Sequence, residues 1–371
     1  MEDRFIYQME PWIGKEERDA VCAYLESGGW LTEYRYTRMF EKMIADYTGA
    51  SFASVVSNGT VSLFAALMAC GIGPGDEVIV PDFTMIATAN AVRWIGATPV
   101  LVDIEEKTLC LDLEKAEAAI TPRTRAIMVV ALNGRAPDMA ALTSLCQAHG
   151  LWIIEDAAQA LGARQKGRHL GTFGHIGSFS FSAPKIITTG QGGALITNDA
   201  DLYDQIVKIR DFGREKPGMD IHIALGYNMK FTDLQAVVGI EQMKKLPERV
   251  ERKKQMFARY RSNLADVPGV QFIETNPEDT PPWFIDILVD DRESLAAYLK
   301  EHGIGTRPFY PPIHTQVPYR GAPGEFPVTE RLAAKGLWLP SSLFLTDDDI
   351  DRICEHIREF YHRGTRLAFQ V

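Results

Sequence analysis

Lys185 lies within a run of small, hydroxyl-bearing and glycine residues, Gly177-Ser178-Phe179-Ser180-Phe181-Ser182-Ala183-Pro184-Lys185-Ile186-Ile187-Thr188-Thr189-Gly190-Gln191-Gly192-Gly193. An amine desolvated between two apolar strands has a lowered pKa and attacks carbonyl carbon. Most isolated lysines are solvated surface groups, so Lys185 draws its weight from its surroundings. Upstream, the apolar run Leu151-Trp152-Ile153-Ile154 ends on two acids, Glu155 and Asp156. Ionised carboxylates at such a place are costly without a partner. A protonated pyridine nitrogen would be that partner for Asp156; a helix N-cap is the competing reading. Further upstream, Ser57-Asn58-Gly59-Thr60-Val61-Ser62 follows an apolar run and precedes an apolar helical stretch over 63–70. Backbone N–H groups at a helix start form an anion site, and Gly59 would let the main chain approach a phosphate closely. A turn with an ordinary N-cap explains this segment as well.

These residues meet only if strands carry them to one edge. Between about 53 and 200, apolar runs at 53–57, 77–81, 98–103, 126–131, 151–155, 177–181 and 193–197 alternate with helical stretches. Runs apolar on both faces predict a mostly parallel sheet covered on both sides, with ligands at the carboxyl ends of its strands. Phe40, Met43, Ile44 and Tyr47 predict an earlier helix that Gly49 ends. Thr232 and Gln235 have capping-box spacing for a helix running towards Leu246, where Pro247 follows, and the interleaved charges at 248–254 read as a solvated helix face. A strand at 283–289, a helix near 294–302 and a final helix from Thr346, capped with Asp349, predict a smaller α+β domain. The expected division is 1–245 for N-terminal helices and a large α/β domain, and 246–371 for a linking helix and the small domain.

A net charge of -10 argues against a nucleic-acid backbone as the main partner. No stretch approaches the roughly 20 apolar residues of a membrane span, and the acidic, polar start Met1-Glu2-Asp3-Arg4-Phe5 is unlike a secretory signal. Cys22, Cys70, Cys110, Cys146 and Cys354 lack metal-ligand spacing and read mostly as core residues of a reduced, cytoplasmic protein. No metal site is expected.

The order SNGT, EDAAQALGA, GSFSFSAPKIITTGQGGALITND and GYNMKFTDLQAVVGIEQ resembles the DegT/DnrJ/EryC1/StrS sugar aminotransferase family, particularly its perosamine-forming members. The likeness extends from Ser27 to Pro340. It implies the type I fold of pyridoxal-phosphate enzymes and a homodimer with shared active sites. It further implies that Lys185 holds pyridoxal phosphate as a Schiff base and carries protons once freed. Asp156 would pair with the pyridine nitrogen, Gln159 would lie near the ring hydroxyl, and Gly59, Thr60 and Ser180 would hold the phosphate, joined by Asn228 of the partner chain. The reaction implied has two halves: an amino acid, expected to be glutamate, leaves its amine as pyridoxamine phosphate, and a keto-sugar nucleotide takes it. In Arg307-Pro308-Phe309-Tyr310-Pro311-Pro312-Ile313-His314, the residues Arg307, Phe309 and His314 are the expected substrate contacts, with Lys230. The same stretch favours a GDP-linked 4-keto-6-deoxy hexose.

Three positions depart from the family's usual pattern. Met85 stands where an aromatic usually stacks on the cofactor ring, and sulfur can cover such a face. Gln191 replaces a frequent glutamate and Lys230 a frequent arginine, which leaves donor and nucleotide recognition open. Two other readings remain: a cofactor-dependent sugar dehydratase, whose known members have histidine at the lysine's place, and a non-catalytic cofactor-binding regulator, for which no DNA-binding appendage is visible.

Overall fold

Short runs of Val, Ile and Ala bounded by glycine, proline and acids become strands because their branched side chains fill both faces of a buried sheet. The computed structural model describes residues 4–32 and 34–368. Helices α1 (Lys15–Glu26) and α2 (Arg35–Thr48) come first, and Gly49 ends α2 with φ 80°. Strands β1 (Phe52–Val56), β2 (Glu77–Pro81), β3 (Thr98–Val102), β4 (Thr124–Val130) and β5 (Trp152–Asp156) then alternate with helices α3 (Gly59–Ala69), α4 (Ala87–Trp94), α5 (Leu113–Ala118) and α6 (Met139–His149). A small hairpin, β6 (Arg164–Gln165) and β7 (Arg168–His169), leads into β8 (Ile176–Ser180) and β9 (Gly193–Thr197).

Seven strands form one sheet in the order β1-β9-β8-β5-β4-β2-β3. Only β9 runs against its neighbours. Successive residues point to opposite faces: Val55, Ile79, Ile127 and Ile153 pack with α2 and α6, whereas Val56, Val78, Met128 and Ile154 pack with α3 and α4. The strands other than β3 are thus largely buried on both sides, whereas β3, at the sheet edge, is buried only at Leu101 and Val102.

After α7 (Ala200–Arg210), helix α8 (Asp233–Leu264) begins with the expected capping box of Thr232 and Gln235. It does not stop at Pro247 but runs on to Leu264, 32 residues in all. An interior proline costs about 3 kcal/mol, and packing on both sides of it compensates. Ala236, Ile240, Met243 and Leu246 join the core of the first sheet, while Met256, Phe257, Tyr260 and Leu264 join a second core. The charge-rich stretch is also not fully solvated. Arg249 and Lys253 are buried, because Arg249 donates to Gln242 Oε1 and to the carbonyls of Ile186 and Trp12, and Lys253 Nζ donates to the carbonyls of Trp283 and Ser341.

The second sheet, β10 (Val270–Phe272), β11 (Ile285–Val289), β12 (Arg307–Pro308) and β13 (Gly336–Leu339), is antiparallel in the order β10-β11-β13-β12. Helices α9 (Arg292–Glu301), α10 (Pro327–Lys335) and α11 (Asp347–Ala368) accompany it. Thr346 and Asp349 cap α11 reciprocally. Trp283 and Phe284 precede β11 instead of opening it, because Asn133 takes both backbone hydrogen bonds of Phe284. A buried Arg135–Asp286 ion pair, 2.6 Å, also joins the two sheets. Cys70, Cys110, Cys146 and Cys354 are buried and Cys22 is exposed, all of them free thiols. No helix among the described residues is long and apolar enough to cross a membrane.

Candidate active site

The carboxyl end of β5, the start of α3 and the turn after β8 converge on a cavity of about 310 Å³ that Lys185 and Asp156 both line. Glu155 and Asp156, neighbours in β5, go separate ways. Glu155 accepts from the N–H groups of Gly171 and Gly174 at 2.6 Å each, and burial pushes its carboxyl up to about 7. Asp156 turns into the cavity, where its Oδ2 accepts from Thr88 Oγ1 at 2.8 Å and its Oδ1 from the Ala158 N–H at 3.2 Å. Burial raises the Asp156 carboxyl above its ordinary value against those two bonds and the charge of Lys185.

Burial likewise pulls the Lys185 amine down to about 8, with the Asp156 charge opposing it and Arg307 assisting. Its Nζ lies 4.0 Å from the centre of the Trp283 ring, and the indole N–H donates to Pro184 O at 2.6 Å, so the ring is fixed over the amine. Lys185 and Asp156 influence one another but form no ion pair among the described residues, leaving space between amine and carboxylate.

The phosphate side is built from backbone. Asn58 caps α3 by accepting from the Val61 N–H at 2.9 Å, while the N–H groups of Gly59 and Thr60 have no acceptor among the described residues. A Cβ on Gly59 would stand 2.8 Å from Ser180 Cβ, so only glycine lets this helix start approach β8 so closely. Ser180 and Ser182 add hydroxyls, 3.3 Å apart.

This arrangement fits pyridoxal phosphate. The unpaired N–H groups and hydroxyls suit a phosphate, the buried carboxylate lacks a cation that a ring nitrogen could provide, and the desolvated amine suits an aldehyde. Met85, 46% exposed, lines the space a ring would occupy. Gln159 lines the cavity too, its Oε1 taken by the Asn133 N–H at 2.8 Å.

The substrate candidates divide. Arg307 lines the mouth, its guanidinium 5.6 Å from the Tyr310 ring and 5.4 Å from that of Trp338. Phe309 is instead buried against Phe83 and Trp338, and its neighbour Tyr310 reaches the cavity. His314 does not line it: Nδ1 meets Asp82 Oδ2 at 2.7 Å and Nε2 meets Glu330 Oε1 at 3.2 Å. Lys230 pairs with Asp211 at 2.8 Å, and Asn228 is exposed outside this cavity. Sequence reasoning missed Trp283 and Tyr310 as lining residues and Thr88 as the partner of Asp156. Thr84, just before α4, and Thr88, in its first turn, four residues apart, were the one visible signal for that hydroxyl pair, 3.1 Å.

The model of the DegT/DnrJ/EryC1/StrS aminotransferase family matches residues 11–358. The GDP-perosamine synthase of Escherichia coli O157:H7 is 36% identical over 361 residues, which cover 96% of this chain and 99% of that protein. Among solved structures, S. venezuelae DesV in complex with a ketimine intermediate superposes with a TM-score of 0.89 at 37% identity, covering 93% of this chain and 94% of DesV. DesI in the presence of its TDP-sugar product gives 0.91 at 34% identity, covering 100% and 96%. A cavity that fits pyridoxal phosphate, a type I aminotransferase fold and a family match across nearly the whole length lead to one conclusion: the chain belongs to the pyridoxal-phosphate-dependent DegT/DnrJ/EryC1/StrS aminotransferase family.

Proposed function

We propose that this chain moves an amino group from an amino acid, glutamate being the preferred donor, to the keto carbon of a nucleotide-linked sugar, and that a GDP-linked 4-keto-6-deoxy hexose is the preferred acceptor. The observation that carries the reading is the pairing of a desolvated lysine amine with a buried carboxylate across one cavity, the two unbonded. Pyridoxal phosphate supplies the electron sink that stabilises charge on the carbon losing its proton. Asp156 would hold the pyridine nitrogen, Gln159 the ring hydroxyl, Met85 one ring face, and Gly59, Thr60 and Ser180 the phosphate. Lys185 Nζ, its amine lowered by burial to about 8 and so far more readily deprotonated than an ordinary lysine, takes and returns the proton at the substrate's reacting carbon. Trp283 and Tyr310 exclude water around that amine, which keeps it desolvated. Arg307, at the mouth, offers paired N–H donors to a donor carboxylate or a diphosphate.

The GDP preference is supported by the likeness to a GDP-perosamine synthase, and the TDP-sugar of DesI makes a thymidine-linked sugar the next acceptor to try. We further infer a homodimer with shared sites. Asn228 closes a segment that leaves Ile221, Ile223 and Leu225 exposed, Leu225 at 69%, and Trp30 is exposed at 78%. Apolar groups in that number are normally covered by another surface, and a second copy would bring an Asn228 amide to its neighbour's phosphate site.

Loading the protein with pyridoxamine phosphate and offering keto-sugar nucleotides alongside keto acids tests the reading. Return of the aldehyde absorbance with a GDP-linked keto sugar is expected. Return with keto acids alone, and with no sugar nucleotide, would overturn it.

A further inference from the structure

Asn133 lies in the turn that follows β4, buried, with φ 54°. This left-handed conformation is uncommon for residues with a side chain, and asparagine tolerates it better than most. Its side chain is wholly occupied by Phe284: Oδ1 accepts from the Phe284 N–H at 2.7 Å and Nδ2 donates to the Phe284 carbonyl at 2.7 Å. Its backbone N–H donates at 2.8 Å to Gln159 Oε1. An N–H cannot bond an amide NH2 group, so this contact decides which way round the Gln159 amide sits. The oxygen is committed to Asn133, and Nε2, with no acceptor among the described residues, is left for whatever occupies the cavity that Gln159 lines.

The other end of the clasp also reaches the site. Phe284 follows Trp283, whose ring covers Lys185 Nζ and whose carbonyl accepts from Lys253 Nζ at 2.9 Å. We propose that Asn133 is a positioning residue of the active site: by clasping Phe284 it fixes the left-handed turn whose N–H keeps the Gln159 amide nitrogen as a donor towards the ring hydroxyl oxygen. The proposal rests on the assignment of this cavity to pyridoxal phosphate. Glycine at 133 accepts the same backbone conformation but cannot hold Phe284. The turn then loses its tether, and the Gln159 amide is free to rotate about its broad terminal torsion.

A donor to the ring hydroxyl favours its ionised form, so losing the donor raises the pH at which the bound cofactor's absorbance changes. The experiment is a pH titration of that absorbance in the cofactor-loaded protein, with thermal melting recorded separately. Gln159→Ala should raise the midpoint by about one pH unit, the size of a modest change in hydrogen bonding. Asn133→Gly should raise it in the same direction, and the double variant should go no further than Gln159→Ala alone, since both act through one amide. If Asn133→Gly does not fold, Asn133→Ser, whose single hydroxyl cannot hold both backbone groups of Phe284, takes its place with the same expected direction. A lower melting temperature with an unmoved midpoint, or shifts that add in the double variant, would overturn the proposal. An unmoved midpoint in Gln159→Ala would instead refute the placing of the Gln159 amide at the ring hydroxyl, and the proposal with it.

Discussion

At the residue, an amine with no ion-pair partner among the described residues, held beneath an indole and facing a carboxylate it does not touch, gives up its proton more readily than an ordinary lysine. Because burial lowers the Lys185 amine to about 8, its deprotonated fraction rises with pH and passes one half near that value. Amine-directed labelling of cofactor-free protein should therefore be half-maximal at Lys185 near pH 8, whereas exposed lysines label only at higher pH; a Lys185 profile matching theirs would mean that the amine is solvated. Asp156→Asn nearly preserves shape but removes the charge, and we expect turnover to fall by roughly 10²-fold or more, with little loss of cofactor. Near-normal turnover would reduce Asp156 to a structural acceptor for Thr88 and Ala158. Lys185, Asp156 and Gly59 could be picked from their local patterns and Thr60, Met85, Gln159 and Ser180 from the family likeness of the motifs around them, and all line one cavity. Trp283, Tyr310 and Asn133 could not, since what each touches is decided by how the second sheet meets the first.

The elements of the first sheet were legible because most of its strands are buried on both faces and mark themselves as short, mostly apolar runs. Observed bounds at β2 and β9 coincide with the runs, and β1 is displaced by one residue. Helix α8 was misread at Pro247 because propensity is local whereas the packing that carries the helix through is not. Arg249 and Lys253 were misread for the same reason: interleaved charge looks solvated until the carbonyls that receive those side chains are seen. The join between the sheets gives a prediction at this scale. Arg135 grips Asp286 with two guanidinium nitrogens, at 2.6 and 3.2 Å, and both side chains are nearly inaccessible. Asp286→Ala leaves a buried cation without its counter-ion and should destabilise the fold by about 3–5 kcal/mol in urea unfolding. A loss below about 1 kcal/mol, the range of exposed pairs, would show that water reaches the site.

For the whole molecule, the exposed apolar segment around Ile221, Ile223 and Leu225 and the position of Asn228 beyond its own cavity motivate a test of shared sites. Lys185→Ala and Asn228→Ala chains should each be defective, and verified mixed dimers should regain one intact site. Mixed dimers no more active than either parent would confine Asn228 to its own chain, or to no site. The fold also contains a second buried lysine with a depressed pKa, Lys253, at about 7, enclosed by the carbonyls of Trp283 and Ser341. Low pKa alone therefore does not single out the reactive amine; access to the cavity does. Borohydride reduction of the cofactor-loaded protein, followed by peptide mapping of the pyridoxyl group, separates the two. The label should fall on the peptide containing Lys185 and vanish in Lys185→Ala, while recovery mainly on Lys253 or any other lysine would contradict the site described above.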